Sequence, residues 1–233
     1  MASALGTVLE PPGSTVAGRD RRALIELCVG YALILVVIWT PRPWQRLSYA
    51  VAATFLAGVL WISRTGWQAM GLRPARFARS LWLVGVALLA AAIADLVASR
   101  MHTLHAPDSL GQFIARYTGY ALGACMQQVL LQTLFLPRLL RLIRGSATAS
   151  LMAAALFSLA HLPNPILTVI TFIWGFAACL FFVRYQNLYT LAIAHTILGV
   201  TVAMTVPGPV IRNMRVGLGY ITFNSHPLHR RNH

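Results

Sequence analysis

The chain has 233 residues, of which 58% are hydrophobic and only 10% charged. Soluble domains carry charge on about a quarter of their residues, so a soluble globular fold is excluded and an all-α polytopic membrane protein is indicated. The formal charge of +14 comes from 19 arginines and no lysine against five acids, Glu10, Asp20, Glu26, Asp95 and Asp108; the arginines flank apolar runs, which assigns them to helix ends, topology and anionic lipid rather than to nucleic acid.

Residues 1–22 read as a flexible N-terminal tail. The first 18 hold Pro11, Pro12 and Gly13 and no basic residue, so the charged start and apolar middle of a cleaved signal are missing. A membrane domain follows over 23–206. Its apolar runs predict a bundle of about seven transmembrane helices, near 23–40, 47–63, 81–99, 113–136, 147–162, 165–183 and 187–206. Glu26, early in the first span, is a functional candidate by virtue of its depth; the plainer reading ties it to Arg21 and Arg22. Pro41 and Pro43 end that span. The stretch RTGWQAMGLRPARFARS, 64–80, reads as interfacial, with Trp67 and Phe77 available at headgroup level. Asp95, five residues before Arg100, reads as an interfacial charge. Asn164 and Pro165 mark a tight turn between the fifth and sixth spans.

A cytoplasmic N-terminus puts Arg19, Arg21 and Arg22, then Arg64, Arg73, Arg76 and Arg79, then Arg138, Arg141 and Arg144, and then Arg184 on the inside. The positive-inside rule favours that orientation, in a bacterial cytoplasmic membrane. Residues 207–233 form a basic tail whose Arg212, Arg215, Arg230 and Arg231 fall outside if the spans number seven. Either the count shifts by one or the 207–224 segment dips into the membrane. The tail histidines read as a surface feature. Cys28, Cys125 and Cys179 lie in apolar stretches without a CxxC pair, so neither a disulfide framework nor a zinc ribbon is indicated.

Three spans carry polar side chains inside apolar sequence. The fourth holds Gln127, Gln128 and Gln132 in GYALGACMQQVLLQTLFLPRLL; the fifth ends in FSLAH, with Phe157 and His161, followed by Asn164; the seventh holds His195 in LAIAHTILGV. Burying a side-chain amide unpaired costs on the order of 1–3 kcal/mol, so these groups are expected to share one polar pocket. Gln128 and Gln132 are four apart and share a helix face, as do Phe157 and His161. Cys125, one turn before Gln128, and Trp174 in FIWGF are placed with the pocket. No Gly-x-Ser-x-Gly, His-Glu-x-x-His or Gly-x-Gly-x-x-Gly motif is present. Two imidazoles without a carboxylate or thiolate make an incomplete zinc site.

These segments, in this order, resemble the CPBP family of intramembrane proteases, which includes the CAAX-processing and bacteriocin-processing (Abi) enzymes. That family shows Glu-Glu-x-x-x-Arg, then Phe-x-x-x-His, then a late histidine on another helix. QQVLLQTLFLPRL, 127–139, is similar to the first motif and FSLAHLPNP, 157–165, to the second. FIWGFAACLFFVRYQNLYTLAIAHTILGV, 172–200, resembles the glycine-containing helix and late-histidine segment. The resemblance is strongest over 64–200 and implies a site at Gln127, Gln128, Gln132, His161 and His195, with Phe157, Asn164, Cys125 and Trp174 about a substrate pocket.

Glutamine stands at both glutamate positions and at the arginine position, and Gly199 stands where many members carry asparagine. A neutral amide accepts no proton near pH 7 and is no general base. Replacing the glutamates alone would strand a buried arginine at roughly 3–5 kcal/mol, so the three changes form a consistent set. The expected protein is protease-like, with its pocket kept and its charges removed, and it binds a membrane peptide or a prenyl or lipid-like chain without a cofactor. Two alternatives stay open. One is an active enzyme with His161 or His195 as base and glutamine amides polarising a carbonyl; the other is a bis-histidine metal or haem binder.

Overall fold

The computed structural model describes residues 16–223 except 64, 65, 67 and 73. The expected roles of Trp67, Arg64, Arg73, Arg230, Arg231 and the tail histidines lie outside the described residues, as does most of the expected N-terminal tail.

All regular elements among the described residues are helical, and each predicted span coincides with a helix. They are α1 (Val16–Trp39), α2 (Arg42–Ile62), α3 (Trp82–Arg100), α4 (Leu110–Val129), a π-helical segment (Leu130–Phe135), α5 (Leu136–Leu142), α6 (Ser146–Leu159), α7 (Pro165–Tyr185) and α8 (Leu188–Thr205). Five helices are long and apolar enough to cross a membrane: Gly18–Trp39, Arg42–Ile62, Phe77–Arg100, Pro165–Tyr185 and Leu188–Thr205; Ser146–Leu159 is apolar but shorter. The chain is an all-α polytopic membrane protein. The fourth span is helical without being uniformly apolar, because Gln112, Arg116, Gln127 and Gln128 lie on it. Leu47, Trp61, Leu89 and Leu96 are exposed, as lipid-facing residues are.

Helix ends follow local chemistry. Ser109 caps α4 by accepting from the Gln112 amide, and Asn164 and Asn187 cap α7 and α8 in the same way, satisfying donors that a helix start leaves orphaned. Pro165 occupies the first position of α7, where its missing N–H is of no consequence.

Hydrogen bonds identify which helix ends meet. At one end Asp20 pairs with Arg141 at 3.0 Å, Thr190 reaches Ser80 at 3.3 Å and Arg76 donates to Gln186. The starts of α1, α6 and α8 therefore share this end with the 74–80 segment. At the other end the His105 amide donates to the Met204 carbonyl and the Gly217 amide to the Leu162 carbonyl. Residues 208–223 do not form a further span. They fold back in short turns, Gly208–Ile211 and Gly217–Ile221, with Ile211 buried and Asn164 donating to the Ile211 and Arg215 carbonyls at 2.8 and 3.2 Å. Arg212 and Arg215 consequently lie at the end opposite the other arginine-rich segments.

α6 packs on α7, α3 and α4 pack on α8, and α1 packs on α2 and α5. The α6–α7 contact is close because it is built from small residues. At Gly175 a Cβ would sit 3.0 Å from the Phe157 ring and 3.4 Å from the Ala154 backbone. This glycine lets α7 approach the helix that carries Phe157.

The π-helical segment has an identifiable cause. Pro137 lacks an N–H and cannot donate to the carbonyl of Thr133. Arg138 replaces it, donating from Nη1 to the Thr133 and Leu134 carbonyls at 3.1 and 2.9 Å. Two further donors go to Glu26 of α1, at 2.8 Å from Nε and 2.6 Å from Nη2. The expectation that Arg138 marks a membrane surface is thereby corrected: its side chain is 1% exposed and ties α1 to the π segment. Glu26 does pair with Arg22, at 2.7 Å, but its second partner comes from far along the chain.

Candidate functional site

Gln128 and Gln132 are fully buried and lie one turn apart where α4 passes into the π segment. Gln132 Nε2 donates to Gln128 Oε1 at 3.3 Å, and Gln128 Nε2 meets His195 Nδ1 at 3.0 Å. An amide nitrogen only donates, so His195 Nδ1 accepts and its ring proton lies on Nε2. The result is a one-directional, uncharged chain of donors from Gln132 to the imidazole of α8. Gln132 Oε1 is buried without a hydrogen-bond partner among the described residues.

Gln127 and His161 occupy a second tier. Both line a cavity of about 460 Å³ walled by α1, α2, α4, the π segment and α6, with Tyr31, Tyr49 and Phe55 among its apolar walls. Among the described residues the lining contains no acid and no arginine. His161 Nδ1 lies 2.8 Å from the Phe157 carbonyl. A carbonyl only accepts, so Nδ1 carries the proton and Nε2 keeps a free lone pair. Phe157 separates the tiers, its ring edge-on to His161 at 4.9 Å and to His195 at 6.1 Å between centroids. Trp174 covers another side of His195 at 5.7 Å, and its indole N–H is buried without a partner among the described residues.

Of the residues expected at one pocket, the structure brings together Gln127, Gln128, Gln132, Phe157, His161, Trp174 and His195. It leaves two elsewhere. Cys125 is exposed and absent from the cavity wall, because the buried face of α4 runs through Ala124 and Gln128, four residues apart, and Cys125 is turned about 100° from its neighbour Ala124. Asn164 is fully buried, yet its side chain is consumed by the α7 cap and the two carbonyls of the C-terminal segment. Asn164→Ala is expected to destabilise the fold by roughly 2–4 kcal/mol, a lost cap plus two buried carbonyls left unsatisfied. Equilibrium unfolding in mixed micelles measures it, and a loss under about 1 kcal/mol would show that this clasp does not order the 208–223 segment.

Gly199 lies one turn after His195, and the Tyr120 hydroxyl fills the space that a side chain at 199 would need. The aromatic walls from α1 and α2 and the Glu26–Arg138 pair were not anticipated from sequence. The signal for the pair was an acid and an arginine set within apolar runs, since charges at such depth must find partners. No group of three or more His, Cys, Asp or Glu residues suited to a metal ion occurs among the described residues.

Residues 78–201 match a family model described as type II CAAX prenyl endopeptidase Rce1-like. The match spans more than half of the chain, from just before α3 to within α8, and leaves out α1 and α2. No curated protein and no solved structure matches.

Proposed function

From the premise that this chain belongs to the Rce1-like family of type II CAAX prenyl endopeptidases, we propose that it is a protease-like membrane protein that binds its ligand without ordinary water activation. The observation that carries this reading is the Gln128–His195 hydrogen bond. On the family pattern read from the sequence, an ionisable glutamate belongs at this position. A carboxylate there would hold a proton on the imidazole or take one from water; an amide holds the ring in place and moves no charge.

The ligand is a membrane peptide or a prenyl or lipid-like chain. The cavity supports this: it is predominantly apolar, about 460 Å³ in volume, and among the described residues presents Gln127, His161 and two tyrosines as its polar anchors. Small-ligand sites have this composition, an apolar wall with few oriented polar groups. Gln127 offers an amide to a peptide carbonyl or amide, and His161 Nε2 accepts from a donor. The arginine-rich helix ends support a cytoplasmic N-terminus, with the membrane domain over 23–206.

A second reading rests on His161. Its Nδ1–H is held by the Phe157 carbonyl, so Nε2 is oriented and unprotonated, as a general base requires. In this reading Gln127 polarises the scissile carbonyl.

One experiment separates the two. A farnesylated CAAX-type peptide carrying a photoreactive group is incubated with the purified protein in bilayers. The expected result is crosslinking within the cavity wall with the peptide intact. Cleavage that disappears in His161→Ala would refute the non-catalytic reading and establish the second.

A further inference from the structure

A second cavity, also about 460 Å³, lies between α3, α4 and α8, away from the glutamine–histidine cluster. Its wall includes Asp95, Phe113, Ile114, Tyr117, Thr201 and Met204 and is mostly apolar. Two polar atoms in it lack hydrogen-bond partners among the described residues. They are Oδ1 of Asp95 and the hydroxyl of Tyr117, both buried, and Tyr117 as a residue is only 6% exposed. Thr118, Thr196 and Thr201 do not satisfy them, because each donates its hydroxyl to its own helix.

We propose that this groove binds the headgroup of a phospholipid bearing a primary ammonium, of the phosphatidylethanolamine type. A buried carboxylate oxygen and a phenol oxygen form an acceptor pair, and an –NH₃⁺ group supplies the donors and the charge that such a pair lacks. The phenol retains its own proton for a phosphate oxygen. Arg116, exposed, has its guanidinium carbon 5.7 Å from the Tyr117 ring centroid and supplies a cation for the same phosphate. An acid within the groove and an arginine over the ring of its Tyr117 match a zwitterion.

Depth agrees. Asp95 lies five residues from the end of α3, about 7–8 Å along the axis, near the boundary between headgroups and acyl chains. Ile93, Leu96 and Leu110 nearby are exposed, so the groove opens among lipid-facing residues and its apolar wall accepts an acyl chain. A quaternary choline has no N–H for Asp95, and phosphatidylglycerol has no cation, so both are discriminated against. The proposal is independent of the protease-like reading.

The test reconstitutes the full chain in vesicles of equal phosphatidylethanolamine, phosphatidylcholine and phosphatidylglycerol, extracts it gently and counts retained lipids by native mass spectrometry. The expected result is about a tenfold preference for phosphatidylethanolamine over phosphatidylcholine, the size of a charge-assisted hydrogen bond. Asp95→Asn and Tyr117→Phe should each reduce it severalfold. Equal retention of the three lipids, or a preference unchanged in Tyr117→Phe, overturns the proposal. Tyr117→Phe alone decides if Asp95→Asn does not fold. A polypeptide crosslinking to position 95 in place of lipid also overturns it, assigning the groove to a partner helix.

Discussion

Arg138→Ala is expected to destabilise the protein by roughly 3–5 kcal/mol, the cost of breaking a buried ion pair from one side. Its guanidinium is 1% exposed and makes four hydrogen bonds, two to Glu26 and two to the Thr133 and Leu134 carbonyls. Alanine removes these side-chain donors from the carbonyls and leaves Glu26 with Arg22. Arg141→Ala is the internal control. Its partner Asp20 is 44% exposed, and an exposed pair contributes at most about 1 kcal/mol. Equilibrium unfolding of both variants in mixed micelles provides the comparison. Equal losses would mean that Arg138 is not the pin between α1 and the π segment. The effect should extend to the cluster, because Gln132 lies in that segment and His195 is reached through it.

The second large effect concerns charge at the glutamines. Gln128→Glu alone places a carboxylate in a fully buried slot between Gln132 Nε2 and His195 Nδ1. Its desolvation costs several kcal/mol with no permanent cation beside it, and any offset requires His195 to take up a proton. Substituting Gln127→Glu, Gln128→Glu and Gln132→Arg together supplies the counter-charge. The single variant is therefore expected to be the less stable of the two, and the triple variant to regain most of the loss. On the proposed reading the triple variant also gains cleavage of a farnesylated CAAX-type peptide. The gain is expected at about 100-fold or more, the usual contribution of a positioned acid or base. A triple variant that folds and binds peptide yet leaves it intact would show that charge removal is not what withholds catalysis.

The cavity draws on two parts of the chain with different histories of similarity. Gln127, Phe157 and His161 lie within the matched residues 78–201, whereas Tyr31, Tyr49 and Phe55 lie before them. If the wall from α1 and α2 sets which chain is accommodated, ligand choice is decided outside the family match.

Much of this protein was determined by local sequence alone. Low charge and long apolar runs dictate membrane helices, because a backbone in lipid must satisfy its hydrogen bonds within each segment. Four-residue spacing put Gln128 with Gln132 and Phe157 with His161 on common faces, and the cost of lone amides required that they meet partners. Only the tertiary structure decided which partners. Gln127 and Gln128 are adjacent in sequence, yet one lines the cavity and the other bonds His195 behind it, since adjacent residues on a helix point about 100° apart. Cys125 faces outward for the same reason. Arg138 and Asn164 read as a surface charge and a pocket residue until the chain folded. Then Glu26, more than 100 residues away, claimed the first, and the Ile211 and Arg215 carbonyls claimed the second. Such assignments depend on the rotation of each helix against neighbours that are distant in the chain, and no local pattern encodes that rotation.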